Sequence, residues 1–468
     1  MSLWQSGFSR LSAHDKFARI AALRPAHEGV ASRGAEAPPE CDRLAQLLGA
    51  RVRRNHFGEH LSLEQWYGTP EVCALDARSL SLLMPQGPNA EEFLDFAADP
   101  ENWLFLDTET TGLAGGTGTY PFLVGIAWWD AGGLQVEQFF MRDLDEEHSL
   151  LLELSERMAK RPVLVTFNGK SFDWPLLATR YRMTRSIPSF TPKVHLDFLH
   201  PARQLWRLRI GSVRLKDLER HILCDEGRAL EWSRHDDIDS SLIPQMYFDY
   251  LRGGPAGPLA GIFRHNQMDL RGLAALAGRI LTLLDCGHGI VSATHPDSHD
   301  PIDVFGLSRI MYRRGHPARA RELYESALRS GLPRPIERVA QRELAQLAKR
   351  EKDYTRATSL WEDLRQTPAL VKRKKNALAL SVEDSLKTLE SAIEAAEQLA
   401  IYYEHRAKQP YRAAELIRAS IAEFRDAQSV SGVELSRANK IEARLARRLA
   451  RLERRCATTT APELLRVL

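Results

Sequence analysis

Three short acidic segments, far apart in the chain, hold the residues whose types and spacing could do chemistry. Asp107 and Glu109 stand two apart in LDTETTG, residues 106–112. On an extended chain such a pair faces the same side. Carboxylates placed side by side repel unless a hard cation such as Mg2+ or Mn2+ sits between them. Asp173 lies in FNGKSFDWPLL, residues 167–177, where Asn168 and Gly169 end a β-rich run and Pro175 suits the first turn of a helix. His265 and Asp269 fall one helical turn apart in HNQMDL, residues 265–270. Each segment alone has an ordinary reading: a solvated strand end, a helix N-cap, an exposed i,i+4 pair. Only their joint occurrence, in order, argues for a metal site.

The elements that must position these residues can be read around them. WLFL is a short buried strand with Asp107 at its end; FLVGIAWWD (122–130) and LQVEQFFMRD (134–143) form an antiparallel hairpin across Ala-Gly-Gly. A helix from Glu146 to Ala159, a strand over 163–167 and a helix beginning near Phe172 follow. A Gly/Pro loop at 253–261 leads into the helix with His265 and Asp269. Strands first and helices after, with one strand–helix crossover, indicate a layered α/β domain over residues 96–285. Residues 1–95 form an N-terminal region with a helix at Ser12–Leu23, a flexible linker over 24–40 and strand-like patches over 51–85. His56 and His60 in HFGEH lack the HExxH order of a zinc protease.

A polar linker, 286–303, separates this domain from an all-α region, 304–468. There LSRIMYRRGHPARARELYESALRSGLP is echoed 37 residues on by LAQLAKREKDYTRATSLWEDLRQTP, and again by LAIYYEHRAKQPYRAAELIRASI. Leu307, Gly315, Ala320, Tyr324 and Ala327 fall where a tetratricopeptide (TPR) repeat packs its helices, which suggests a protein partner. In the last helix Ile441, Leu445, Leu449 and Leu452 make an apolar stripe, and Arg444, Arg447, Arg448, Arg451, Arg454 and Arg455 crowd the rest.

The net charge of +3 hides an asymmetry: residues 301–468 hold 33 Lys and Arg against 22 Asp and Glu, the first 300 residues 31 against 39. An acidic front suits a carboxylate-lined metal site, and a basic rear suits a polyanion. Cys41, Cys73, Cys224, Cys286 and Cys456 are scattered, which excludes a disulfide framework or zinc ribbon and fits a reduced cytoplasm. The start MSLWQSGFSR has no signal-peptide core, and no apolar run is long enough for a bilayer. GGTGTYP is not followed by GK[ST], so it is no P-loop, and neither GxSxG nor a Cys–His arrangement is present. His195 and Cys224 read as structural, and Asp197 as a strand end outside the ligand set.

Taken together, the three acidic segments resemble the motifs of the DEDD exonuclease superfamily. The chain is similar to the bacterial YprB-like group, whose Gly-Thr-Gly-Thr-Tyr element appears as GGTGTYPFLVG, residues 115–125. The resemblance covers roughly residues 100–285 and, more loosely, the tail. It implies an RNase H-like α/β fold followed by TPR-like repeats, and a 3′–5′ exonuclease acting on single-stranded ends of DNA or RNA. Asp107, Glu109, Asp173 and Asp269 would bind two divalent ions, Mg2+ or Mn2+, with Asp107 bridging and His265 the general base. His265 stands four residues before Asp269, the spacing of the superfamily's Tyr-type motif rather than its His-type, which leaves its orientation open. Thr110 and Asn168 are candidate nucleotide contacts. A structure-specific endonuclease and a non-catalytic interaction protein are the competing readings.

Overall fold

A computed structural model of the chain describes residues 40–68, 77–84, 90–112, 116–185, 190–224, 234, 236–288, 299–366, 382–431 and 435–464. The chain divides into two compact units, residues 1–291 and 292–468. No helix among the described residues is long and apolar enough to cross a membrane.

The first unit is built on a seven-stranded sheet in the order β1-β2-β5-β4-β3-β6-β7. Its strands are β1 (Arg51–Asn55), β2 (Gly58–Gly68), β3 (Trp103–Thr110), β4 (Pro121–Asp130), β5 (Gly133–Phe140), β6 (Val163–Thr166) and β7 (Val194–Asp197). β3 is central, antiparallel to β4 and parallel to β6. The β4–β5 hairpin turns on Ala131 and Gly132, at φ 47° and 79°. Positive φ at both positions is what a two-residue hairpin turn demands.

Register decides what shares a face. Leu63, Gln138, Gly125 and Asp107 are partners in one row across β2, β5, β4 and β3. Side chains of one row point to one side of the sheet. On that side lies the long helix Leu259–His288, whose Asn266 and Gln267 bond to Gln138. On the other side, helix Glu147–Lys160 pairs Arg157 with Glu137 at 2.7 Å, and Tyr181 of helix Asp173–Thr184 donates to Leu151 O. Leu104, Leu106, Phe122, Phe140, Leu154 and Phe263 fill the buried core.

Three expected boundaries shift. The sheet begins well before residue 96, because β2 pairs with β5 from Leu61↔Phe140 to Gly68↔Gly133 and β1 pairs with β2. β3 runs past Asp107 through Thr110, since pairing with β4 continues to Thr110↔Pro121. The helix holding His265 and Asp269 continues to His288, into the stretch expected to be linker. Residues 12–23 and most of the expected 24–40 linker lie outside the described residues; its last residue, Glu40, opens helix Glu40–Leu48.

The second unit is all helical in its described residues: Pro301–Arg313, Pro317–Arg329, Arg334–Arg350, Tyr354–Arg365, Val382–His405, Pro410–Ser431 and Leu435–Leu464. Successive helices pack on one another. Ala320, Ala327, Ala345, Ala357 and Ala413 are wholly buried, and such small residues let helices approach closely. The last helix buries Leu445 and Leu452. Its Arg451 and Arg455 reach the buried carboxylate of Glu404 at 2.5 and 3.0 Å, and Arg444 reaches Glu397 at 3.0 Å. Part of the arginine crowd therefore holds the helix in place.

Candidate acidic site

Asp107 and Glu109 leave β3 on the side of helix Leu259–His288, as their alternation requires. Thr108, between them, faces the other way and donates its hydroxyl to Asp173 Oδ1 at 2.6 Å. Asp173 opens its helix behind an N-cap, Phe172, that makes no side-chain cap bond, so Asp173 itself is not the cap. The loop before it is pinned by Asp197, which accepts from Asn168 N at 2.8 Å, Lys170 N at 3.1 Å and Leu199 N at 3.1 Å. Asn168 sits at φ 69°. Gly169 follows so closely on Thr166 that a Cβ would lie 2.5 Å from the threonine Cβ. Asp197 thus shapes the loop that presents Asp173.

The long helix supplies the rest. His265 Nε2 lies 3.7 Å from Asp269 Oδ2 and 4.0 Å from Glu109 Oε1. Its Nδ1 is 2.6 Å from Asp237 Oδ1, and Ser240 Oγ is 3.3 Å from Nε2. Asn266 donates from Nδ2 to Asp107 Oδ2 at 2.8 Å and accepts from Gln138 Nε2 at 2.7 Å. Gln138 accepts in turn from Gln267, and Gln267 from the Tyr67 hydroxyl at 3.0 Å. Two wholly buried amides, Gln138 and Asn266, therefore link β2 and β5 to Asp107. Arg234 reaches Asp269 Oδ1 at 2.5 Å.

Electrostatics follow from this gathering. Burial, then the charges of Asp269, Asp173 and Glu109, push Asp107 well above the usual carboxylate range. Burial, then Asp269, Asp173 and Asp237, do the same to Glu109. Asp173 is pushed up to about 6, by burial first and by Asp197, against the hydrogen bonds that Thr108 supplies. Asp237 goes the other way: burial would raise it, but the bond and charge of His265, and then Arg234, outweigh burial and hold it low.

Among the described residues no three His, Cys, Asp or Glu side chains close tightly enough to hold an ion as they stand. Asn266, Thr108 and Arg234 each take one oxygen of Asp107, Asp173 and Asp269 respectively. The donor set still fits a hard divalent cation, being all carboxylate and mutually repelling, which is the strain a cation relieves.

All four sequence-selected acids and His265 meet at one end of the sheet. Thr110 lies at the end of β3 with its hydroxyl donating to Gly112 O at 3.0 Å, and Asn168 lies in the loop before Asp173. His195 is a half-buried partner of Thr166, and burial lowers it to about 4. Asn266, Gln138, Asp237, Arg234 and Glu219 were missed. The one legible signal was for the amides, which stand at positions where strand and helix periodicity call for apolar residues.

Residues 104–281 match the family model RNase_H_2, of the RNase_H superfamily, a span that includes all four acids and His265. The chain is 28% identical over 350 residues to the uncharacterized protein YprB of Bacillus subtilis (strain 168), a match spanning 74% of this chain and 75% of that protein. The mixed sheet with its flanking helices is accordingly an RNase H-like domain. Such a domain suggests nuclease-type chemistry on nucleic acid and, as a rule, the use of divalent metals.

Proposed function

We propose that this RNase H-like chain is a metal-dependent nuclease, a 3′–5′ exonuclease of the DEDD type that hydrolyses single-stranded nucleic acid. The observation that supports it is the meeting of Asp107, Glu109, Asp173 and Asp269 beside an imidazole held by a carboxylate. These four acids would hold two divalent cations, Mg2+ or Mn2+, which supply stabilisation of negative charge on phosphoryl oxygens and acidification of water.

The chain's own contribution is orientation and proton transfer. Asp237 remains ionised and accepts from His265 Nδ1–H, which leaves Nε2 as the basic nitrogen facing Glu109 and Asp269. Nε2 takes the proton of the attacking water, and Asp237 stabilises the imidazolium that forms. Asn266 keeps the Asp107 carboxylate from turning, and Thr108 does the same for Asp173. Thr110, at the end of β3, and Asn168, in the loop before Asp173, are the nucleotide contacts. The helical unit is TPR-like and serves protein binding.

End-labelled DNA and RNA oligonucleotides, digested with Mg2+ or Mn2+, test this reading. Stepwise shortening from the 3′ end is expected. Internal cuts at a duplex junction would favour an endonuclease, and intact substrate under all conditions would reject catalysis.

A further inference from the structure

Arg234 sits behind the acidic site with its side chain 11% exposed. Its Nε and Nη2 each donate at 2.6 Å to Glu219, whose side chain is 1% exposed. The same Nη2 reaches Asp269 Oδ1 at 2.5 Å, and Nη1 reaches Asp237 Oδ2 at 3.1 Å. Asp237 uses its other oxygen, Oδ1, on the imidazole of His265. One planar guanidinium therefore touches both a carboxylate of the acidic site and the carboxylate that orients the base.

The anchor of this group has its own requirement in sequence. Gly272 lies on the long helix, three residues beyond Asp269. A Cβ at that position would stand 2.1 Å from Glu219 Oε1. Glycine there makes the room in which Glu219 meets Arg234. A carboxylate with no fixed partner can swing between rotamers, whereas two N–H bonds from a rigid fork hold one geometry. With Oδ1 of Asp269 tied to Arg234, it is Oδ2 that faces His265 Nε2 at 3.7 Å.

We propose that Arg234 is a positioning residue of the acidic site, seated by Glu219 and Gly272, which selects the oxygen that Asp269 turns inward and holds Asp237 against His265. The inference rests on the nuclease reading for its kinetic consequence, but its consequence for cation binding stands apart. Lysine would keep the charge and lose the fork, so the role belongs to arginine.

The test uses the full chain with Arg234→Lys, with Gly272→Ala, with both together, and with the paired change Glu219→Met and Arg234→Met. The paired change replaces a buried ion pair by apolar side chains of similar length, which folds as a rule, so it separates misfolding from misplacement. Mn2+ alone is titrated by calorimetry, and kcat and KM are measured on an end-labelled oligonucleotide. Expected are a weakening of Mn2+ binding and a fall in kcat, each about 10- to 100-fold as for other residues that orient metal ligands, with KM little changed. Arg234→Lys combined with Gly272→Ala should be no worse than the more damaging single change, because both act through the same fork. Folded variants that bind Mn2+ and turn over like the wild type would overturn the proposal, as would strict additivity of the two single changes. A chain that cuts no substrate, yet binds Mn2+ in a way that depends on Arg234, would reject the nuclease reading and uphold this one.

Discussion

Substituting Gly125 by alanine strikes the acidic site through a residue that touches no substrate. A Cβ there would stand 2.0 Å from Asn266 Oδ1 and 2.8 Å from both Asn266 Cγ and Leu270 Cδ1. Asn266 and Leu270 are wholly buried, so neither has space to yield. Asn266 must then give up its bonds to Asp107 and from Gln138. Leaving buried partners unmatched costs about 1–3 kcal/mol each, and overpacking a filled core adds about 1–3 kcal/mol. A loss of about 3–9 kcal/mol follows, a large share of the roughly 5–15 kcal/mol that holds a domain folded. Urea unfolding followed by tryptophan fluorescence reads this well, because of the nine tryptophans all but Trp361 precede residue 292. Gly257→Ala is the control, since nothing lies within 4 Å of a Cβ there, and it should stay within about 0.5 kcal/mol of wild type. Equal stability and equal Mn2+ binding in Gly125→Ala and wild type would refute the role given to Asn266.

Replacing His265 by alanine should lower the cleavage rate by about 10²–10⁴, the usual worth of a general base, and a folded variant with normal turnover would remove it from the chemistry. Asp237→Asn keeps the shape but not the charge that orients the imidazole, so the rate should fall about tenfold or more while Mn2+ affinity holds; steady-state kinetics beside a calorimetric titration decides this. In cation-free protein Asp173 titrates near 6 rather than at 3.8, so the folded state holds this proton more tightly than the unfolded chain. Its contribution to stability is complete below about pH 4 and declines as pH rises through about 6, by on the order of 3 kcal/mol. Asp173→Asn should thus gain on wild type in thermal melts between pH 4 and pH 7, and a constant difference across that window contradicts the shift. Arg451→Glu would set a second carboxylate against the buried Glu404 and should destabilise the helical unit by about 1–3 kcal/mol, visible in the helical signal of a thermal melt.

Local periodicity carried the parts of the site that lie on one element. Asp107 and Glu109 share a face because strand residues alternate, and His265 and Asp269 because a helix turns every 3.6 residues. β1 and β2 were harder to place, since the outer half of β2 exposes Glu64, Gln65 and Trp66 and breaks the alternation that marks a half-buried strand. Asp237 and Arg234 fall in a polar run, EWSRHDDIDS, with neither period to assign them a face. Their meaning arises only when that run is carried beside the long helix, a matter of tertiary packing. Gly125 and Gly272 look like any glycine in sequence, and their reason is a side chain from elsewhere in the fold occupying the place of a Cβ.

The most direct measurement compares wild type with Asp107→Asn on a 3′-extended, 5′-labelled strand, with Mn2+ or Mg2+ and again with EDTA. The substitution is nearly isosteric, so circular dichroism should show an unchanged fold. Wild type should shorten the strand with either cation and stop on chelation, while Asp107→Asn should be slower by about a thousandfold or more, several kcal/mol of transition-state stabilisation. A folded Asp107→Asn variant within tenfold of wild type, or wild-type cleavage undiminished in EDTA, would contradict a nuclease working from these four carboxylates.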